Sequence, residues 1–321
     1  MLLTGINWLV TYNCNAQCRH CFFETRGQKK FMNPDLIDRV LKNFTLPKQM
    51  FWQHISGGEL MLNPENLYEI IRRIRKYHQK DLGISTNGFW AVSPEKAQVV
   101  VRTLKELGVT GIAISADFFH QEFIPIDRPL EAARALVAAG LQTHSYAMET
   151  RVKEEINHSE FINRESSKIA DLLANELEIP KAPTSIRSIG KGSEINVPKK
   201  NGIPSGPCTD LSECLGQRSP FNPAMVWIDT YGNVMVCYGI ILGNVHQTPF
   251  PAIIENYHSK VNPITERIAS RGPIGLYELA KENGLNLPDS YFDTCDLCYQ
   301  SRSVLREIYP EILGPKECYP V

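Results

Sequence analysis

Cys14-Asn15-Ala16-Gln17-Cys18-Arg19-His20-Cys21 follows directly on Ile6–Thr11, a short apolar and β-branched run that reads as a strand. Three thiols are thereby set in one loop at the carboxyl end of the first strand. Soft thiolates at this spacing suit iron–sulfur or zinc. Three ligands are one short of the usual structural four, which leaves a position where a metal can hold a reactant. The pattern favours catalysis over bracing.

Outward from this loop, short apolar runs alternate with amphipathic helical stretches as far as Thr150, as a parallel βα architecture requires. Further strands are predicted at Phe51–Ser56, Leu82–Thr86, Gly111–Ala116 and Gln142–Glu149. Helices are predicted at Asp35–Asn43, Glu65–His78, Pro94–Leu107 and Pro129–Ala139, several opening on Pro or an Asn/Ser cap. Glu160–Leu177 and a strand near Thr184–Ile189 make a sixth unit. Six βα units fall short of a closed eight-stranded barrel, so a partial (β/α)6 barrel is expected, its reactive groups at the carboxyl ends of the strands. Gly190–Pro223 is rich in Gly, Pro, Ser and Lys and marks a boundary between residues 1–190 and a smaller α+β domain of residues 191–321. There, Ala224–Asp229 and Asn233–Tyr238 flank Thr230-Tyr231-Gly232 as a hairpin, with helices predicted at Ala252–His258, Leu276–Glu282 and Val304–Ile312.

The chain has 321 residues, 43% of them hydrophobic, with 34 basic against 35 acidic side chains. That is enough apolar material for a large core, and the net charge of −1 offers no broad positive field for nucleic acid or an anionic membrane. No apolar run is long enough for a membrane span, and Met1–Thr11 lacks signal-peptide features, so a cytoplasmic protein is expected. Nine cysteines, an odd number, fit a disulfide framework poorly. After Cys21 none occurs for 186 residues, and the other six lie between Cys208 and Cys318, so two separate sites are implied.

The CxxxCxxC loop resembles that of the radical S-adenosylmethionine (SAM) enzymes, where three cysteines hold a [4Fe–4S] cluster and SAM chelates the fourth iron. Three more motifs match in order: Ser56-Gly57-Gly58-Glu59, Ser85-Thr86-Asn87-Gly88 and Ser115-Ala116-Asp117 end the second, third and fourth strands. The resemblance covers roughly residues 5–150. It implies that Cys14, Cys18 and Cys21 hold the SAM cluster and that Gly57, Gly58 and Glu59 receive the SAM amino group. It also implies that Thr86, Asn87, Ser115 and Asp117 contact the cofactor and that His20 packs near the adenine. Two glycines let backbone approach a ligand closely, and a carboxylate can pair with an ammonium group. Leu60 stands where the family usually has Pro. Implied chemistry is reductive cleavage of SAM to a 5′-deoxyadenosyl radical that removes a substrate hydrogen, fed by a flavodoxin- or ferredoxin-type reductant.

Cys214, the Gly232–Cys237 interval and Cys295-Asp296-Leu297-Cys298 resemble the Twitch domain, the shorter relative of the SPASM domain, which binds one auxiliary [4Fe–4S] cluster. The implied ligands are Cys214, Cys237, Cys295 and Cys298. The interval from Cys214 to Gly232 is slightly long, so Cys208 is an alternative, and the same thiols could build a zinc site. Cys318 alone follows the CxxC, too few for a second auxiliary cluster. A cluster with four protein thiolates suits electron uptake, which points to dehydrogenation or an oxidative cross-link.

Among the remaining residues, Glu149 and Arg151 follow the fifth strand, Arg151 as a carboxylate clamp for SAM or substrate. Arg187 and Lys191 resemble the sixth-strand segment of the family, and His120 is a candidate base in an aromatic loop. Relatives of this architecture modify peptide or protein side chains or dehydrogenate small molecules such as aminosugar alcohols. With the first strand so near Met1, no leader-recognition domain is expected before it, so peptide modification is favoured only narrowly. The reading from another class is an iron–sulfur electron carrier or a zinc-braced binding module, which has no use for Gly57-Gly58-Glu59.

Overall fold

The computed structural model describes residues 3–44, 52–149, 156–179, 181–195, 202–206, 208, 225–258 and 260–320. Arg151 and Cys214 lie outside these residues, and for Glu149 the backbone alone is described. The chain alternates β1 (Gly5–Leu9), α1 (Asp35–Leu41), β2 (Trp52–Ser56), α2 (Pro64–Tyr77), β3 (Asp81–Thr86), α3 (Pro94–Glu106) and β4 (Gly111–Ser115). It continues through α4 (Phe118–Gln121), α5 (Asp127–Ala138), β5 (Gln142–Glu149), α6 (Ile156–Leu177) and β6 (Lys181–Ser185). The C-terminal part holds β7 (Met225–Asp229), β8 (Asn233–Cys237), β9 (Ile240–Asn244), α7 (Phe250–Glu255), α8 (Pro263–Arg271), α9 (Ile274–Glu282) and α10 (Thr294–Leu305).

The strands form one sheet in the order β6-β5-β4-β3-β2-β1-β7-β8-β9. From β6 to β7 every pairing is parallel, and β7-β8-β9 is antiparallel. The six βα strands therefore form an open half-barrel with two edges, and β7 extends it beside β1, Gly5 opposite Met225 and Leu9 opposite Asp229.

Helices form where caps and apolar spacing agree. In α2, Asn63 accepts from Asn66 N, Pro64 fills the first position, and Leu67, Ile70, Ile71 and Ile74 bury one stripe. Along β2 and β3 burial alternates: Gln53, Ile55, Leu82 and Ile84 are buried on one face, while Trp52, His54, Ser56, Gly83 and Ser85 are half-buried on the other. That second face carries polar pairs, Ser56 Oγ donating to Asn7 Oδ1 at 2.6 Å and His54 Nε2 lying 2.8 Å from Ser85 Oγ. Near β1, β7 and β8 it is instead apolar, where Leu9, Met225, Trp227 and Met235 join Ile264, Ile268, Leu276, Leu279 and Leu305 of the C-terminal helices in a second core. One end of this face is thus closed by helices, and the polar end is left for a ligand.

Several boundaries differ from expectation. The sixth strand is Lys181–Ser185, upstream of Thr184–Ile189, because Ile186 and Ile189 bury their side chains in a loop that turns at Gly190 (φ +58°). Val304–Ile312 is not a helix. The helix there is α10, which carries the CxxC and ends at Leu305; Pro310 disfavours continuation, and Ile312 O instead accepts from Ile241 N at 2.8 Å. The hairpin turning at Gly232 (φ +83°) is present, with β9 added as a third strand.

Candidate active site

The cysteine loop is held on two sides. Gly58 N donates to Thr11 O and Glu59 N to Asn13 O, each at 2.8 Å, joining the end of β2 to the loop after β1. A Cβ at Gly57 (φ +146°) would stand 2.3 Å from Thr11 O, and one at Gly58 2.0 Å from Asn13 O. The two glycines thus let the cysteine loop itself approach, a structural reason the sequence alone did not show. On the opposite side Lys191 N donates to Cys21 O at 2.9 Å, and a Cβ at Gly190 would lie 2.4 Å from Phe22 O. The Lys191 ammonium pairs with Glu24 at 3.3 Å.

Glu59 ties the next strand end to this frame. Fully buried, its carboxylate accepts from Met61 N at 3.0 Å, Thr86 Oγ1 at 2.9 Å and Asn87 N at 2.8 Å. Burial pushes its carboxyl above the usual range, against these donors. Asn87 Nδ2 then donates to Asn15 Oδ1 at 2.9 Å, so the third strand end also grips the cysteine loop. Asn15 is a partner the motif reading missed, since nothing in its loop position marks it beyond its place between two cysteines.

Asp117 organises the fourth strand end. Its Oδ1 caps α4 by accepting from Phe119 N and His120 N, and its Oδ2 takes His120 Nδ1 at 2.9 Å and faces His20 Nε2 at 3.6 Å. Burial would raise the Asp117 carboxyl, but His120 and His20 outweigh it and hold it well below the usual carboxylate range. For His120, burial opposes the charge, yet the Asp117 carboxylate and then the nearby Cys18 thiol raise its pKa well above the ordinary value. His120 thus has its Nδ1 tied to Asp117 and lies close to Cys18 on the pocket wall. Burial pushes His20 down to about 4, so it is a neutral ring, packed on Phe119 with centroids 4.7 Å apart.

These strand ends surround one pocket lined by Cys14, Cys18, Cys21, Gly57, Gly58, Thr86, Asn87 and Ser115, with His20 and His120 on its wall. Glu59 and Asp117 stand behind it, bonded to lining residues. Burial raises the Cys14 and Cys21 thiols, so thiolates here need a compensating positive charge, as iron supplies. Ala16 N already donates toward Cys14 Sγ at 3.4 Å. The donor set, its burial and the amide donor fit a three-thiolate iron–sulfur cluster.

A second thiol group lies across the second core. Cys237 ends β8, and Cys295 and Cys298 lie in the first turns of α10, whose N-terminus Asp293 caps by accepting from Asp296 N at 2.7 Å. Cys298 is buried within electrostatic reach of Cys237. Cys208, Cys237 and Cys295 are half-buried against the same apolar cluster, which also contains Cys318. Cys318 Sγ lies 3.9 Å from Tyr12 Oη. Between the two thiol groups, Phe22 and Phe23, directly after Cys21, pack on Tyr238, directly after Cys237, with centroids 4.9 and 5.1 Å apart. Half-buried Arg187 faces the same tyrosine.

An α/β fold with its thiol loop and polar strand ends gathered on one side defines the class, and residues 8–156 match the model of the Radical SAM superfamily. That stretch is a radical SAM domain. Among curated relatives, YydG of Bacillus subtilis (strain 168), provisionally named for peptide biosynthesis, is 32% identical over 117 residues, 35% of this chain and 35% of its own. An S-adenosylmethionine-dependent nucleotide dehydratase of Fibrobacter sp. (strain UWH6) is 36% identical over 92 residues, 26% of this chain and 27% of its own. The matched stretches thus span about a third or less of these relatives. Among solved structures, hexahistidine-tagged anSMEcpe with bound AdoMet shares the fold over 97% of this chain and 98% of its own, with a TM-score of 0.54 at 13% identity. SuiB of Streptococcus suis bound to S-adenosylmethionine shares it over 92% and 77%, with a TM-score of 0.54 at 13% identity. Among the described residues no helix is long and apolar enough to cross a membrane.

Proposed function

We propose that the protein is a radical SAM enzyme carrying out an oxidative modification, a dehydrogenation or a cross-link, of a peptide or protein side chain. The convergence of Cys14, Cys18 and Cys21 with three polar strand ends on one pocket carries this reading. Bound there, SAM and a reduced cluster supply a 5′-deoxyadenosyl radical able to remove hydrogen from an unactivated C–H bond. The chain's own part is to place and enclose. Cys14, Cys18 and Cys21 hold three irons, Gly57 and Gly58 fix the loop, and Thr86, Asn87 and Ser115 offer polar contacts to SAM, with the His20 ring beside them. The half-barrel's open edge leaves a route for a substrate side chain to the pocket, and the second core closes the other end against water.

Cys237, Cys295 and Cys298, with Cys214, are proposed to hold an auxiliary [4Fe–4S] cluster. Its chemistry would be acceptance of one electron, which makes the net change an oxidation. Residues 191–321 would then form the auxiliary domain, although its strands continue the sheet of the first. The peptide substrate is supported by the likeness to YydG. The likeness to the nucleotide dehydratase favours a small-molecule substrate as the second reading.

Two substitutions test the assignment through 5′-deoxyadenosine released from SAM under dithionite. Cys18→Ala is expected to abolish it, and Cys295→Ala to leave it, because the second site is not needed for cleavage. Cleavage surviving in Cys18→Ala would refute the site, and a chain cleaving no SAM would favour a carrier or zinc-braced module.

A further inference from the structure

Cys295, Cys298 and Arg302 lie at i, i+3 and i+7 in α10, on one face of the helix. Arg302 is 1% exposed. Its Nη1 donates to Tyr238 O at 2.6 Å and to Tyr319 Oη at 3.3 Å, and the Tyr319 hydroxyl donates onward to Gly239 O at 2.6 Å. The guanidinium carbon lies 5.9 Å from the Tyr299 ring centroid and 5.7 Å from that of Tyr319, two rings stacked within 9° of parallel. Its Nε is buried without a hydrogen-bond partner.

A guanidinium cannot shed its proton, and burying one is costly unless an anion compensates it. Arg73, by contrast, meets the carboxylates of Asp35, Asp38 and Glu69. The groups within electrostatic reach of Arg302 are instead the Cys298 and Cys237 thiols and the Tyr299 and Tyr319 side chains, Cys298 lying one helical turn away on the same face of α10. Neutral thiols do not compensate a cation. A cluster held by four thiolates does, because it carries net negative charge that grows on reduction, and such charge, hydrogen bonds to sulfur and solvent exposure set its potential.

We infer that Arg302 is the buried counter-charge of the second cysteine site, offsetting the negative charge of its iron–sulfur cluster and raising that cluster's reduction potential. The inference rests on the auxiliary-cluster reading. A fixed cation favours the more negative, reduced form, which makes the cluster a better electron acceptor. The guanidinium lies alongside the stacked pair of tyrosine rings and is fixed by its bonds to Tyr238 O and the Tyr319 hydroxyl.

The test is a redox titration followed by electron paramagnetic resonance on the full chain, reconstituted anaerobically with iron and sulfide, comparing the parent with R302M and R302K. Added SAM shifts the spectrum of the cluster with an open iron and leaves that of the second unchanged, which separates them. At the potential where the parent's second cluster is half reduced, R302M is expected to show a reduced-to-oxidised ratio at least tenfold lower. That is a fall of about 59 mV or more for a one-electron couple. R302K, keeping the charge, should stay within a few-fold of the parent. Should R302M fail to hold the second cluster, R302Q, which keeps a donor without charge, is read in its place. A cluster retained at the parental midpoint in the uncharged variant overturns the inference and leaves Arg302 as a brace of the Tyr238–Gly239 turn. A parent that takes up only the SAM-responsive cluster overturns the reading beneath it.

Discussion

Gly58→Ala tests whether the end of β2 holds the cysteine loop in place. The added Cβ would stand 2.0 Å from Asn13 O, 2.6 Å from Asn13 C and 3.1 Å from Cys14 Cβ. Relief to a tolerable contact of about 3 Å requires the loop to move by about 1 Å. Such a movement stretches the bonds from Gly58 N to Thr11 O and from Glu59 N to Asn13 O, both 2.8 Å, past useful length. Two backbone hydrogen bonds at about 1 kcal/mol net each, with about 1–3 kcal/mol for overpacking, give roughly 3–5 kcal/mol. Gly111→Ala is the control, because its Cβ meets nothing closer than 3.8 Å and its strand conformation accepts any side chain. Urea unfolding of the iron-free proteins reads the stability, and iron per chain after reconstitution reads the loop. G58A should lose stability on that scale and most of the first cluster's iron, while G111A should lose neither. A G58A protein with parental stability and iron would show that the loop is not held by this contact.

Glu59→Gln should destabilise the iron-free protein by about 1–3 kcal/mol, since the amide NH2 would face the Asn87 or Met61 N–H that a carboxylate oxygen now accepts; an unchanged urea midpoint would mean Glu59 matters only to a ligand. Asp117→Ala removes the α4 cap and the His120 partner, and a loss of about 1–2 kcal/mol in thermal or urea unfolding is expected. At Asp38, burial would raise the carboxyl, but the Tyr77 hydroxyl and Arg73 outweigh it and hold it below its ordinary value. Its contribution is therefore present above the unfolded pKa of about 3.9 and is lost as pH falls through the lower folded value. Asp38→Asn should lower the urea midpoint at pH 7 and converge with the parent near pH 2, whereas a gap that persists in acid would remove the charge from the explanation.

Much of the first half was legible because its signals are local. Pro64 and Pro94 after Asn63 and Ser93 mark helix starts, and the motifs at the ends of β1 to β4 sit where a parallel sheet must bring them together. What could not be read is long-range. That Gly58 serves contact with Asn13 and that Gly190 serves contact with Phe22 depend on segments 45 and 168 residues away in chain order. Nothing in the sequence around Arg302 marks it, and only its burial beside the stacked Tyr299 and Tyr319 rings sets it apart. The expected Val304–Ile312 helix is absent because Ile308 is exposed and Leu313 pairs with Ile240 as a β-bridge, contacts that lie far apart in the chain.

Anaerobic reconstitution with iron and sulfide, followed by iron counting and a test for 5′-deoxyadenosine from SAM under dithionite, addresses the central claim most directly. About eight irons per chain, from two four-iron clusters, are expected together with SAM cleavage. About four irons with cleavage would remove the auxiliary cluster, and an iron-loaded chain that leaves SAM intact would contradict the claim itself.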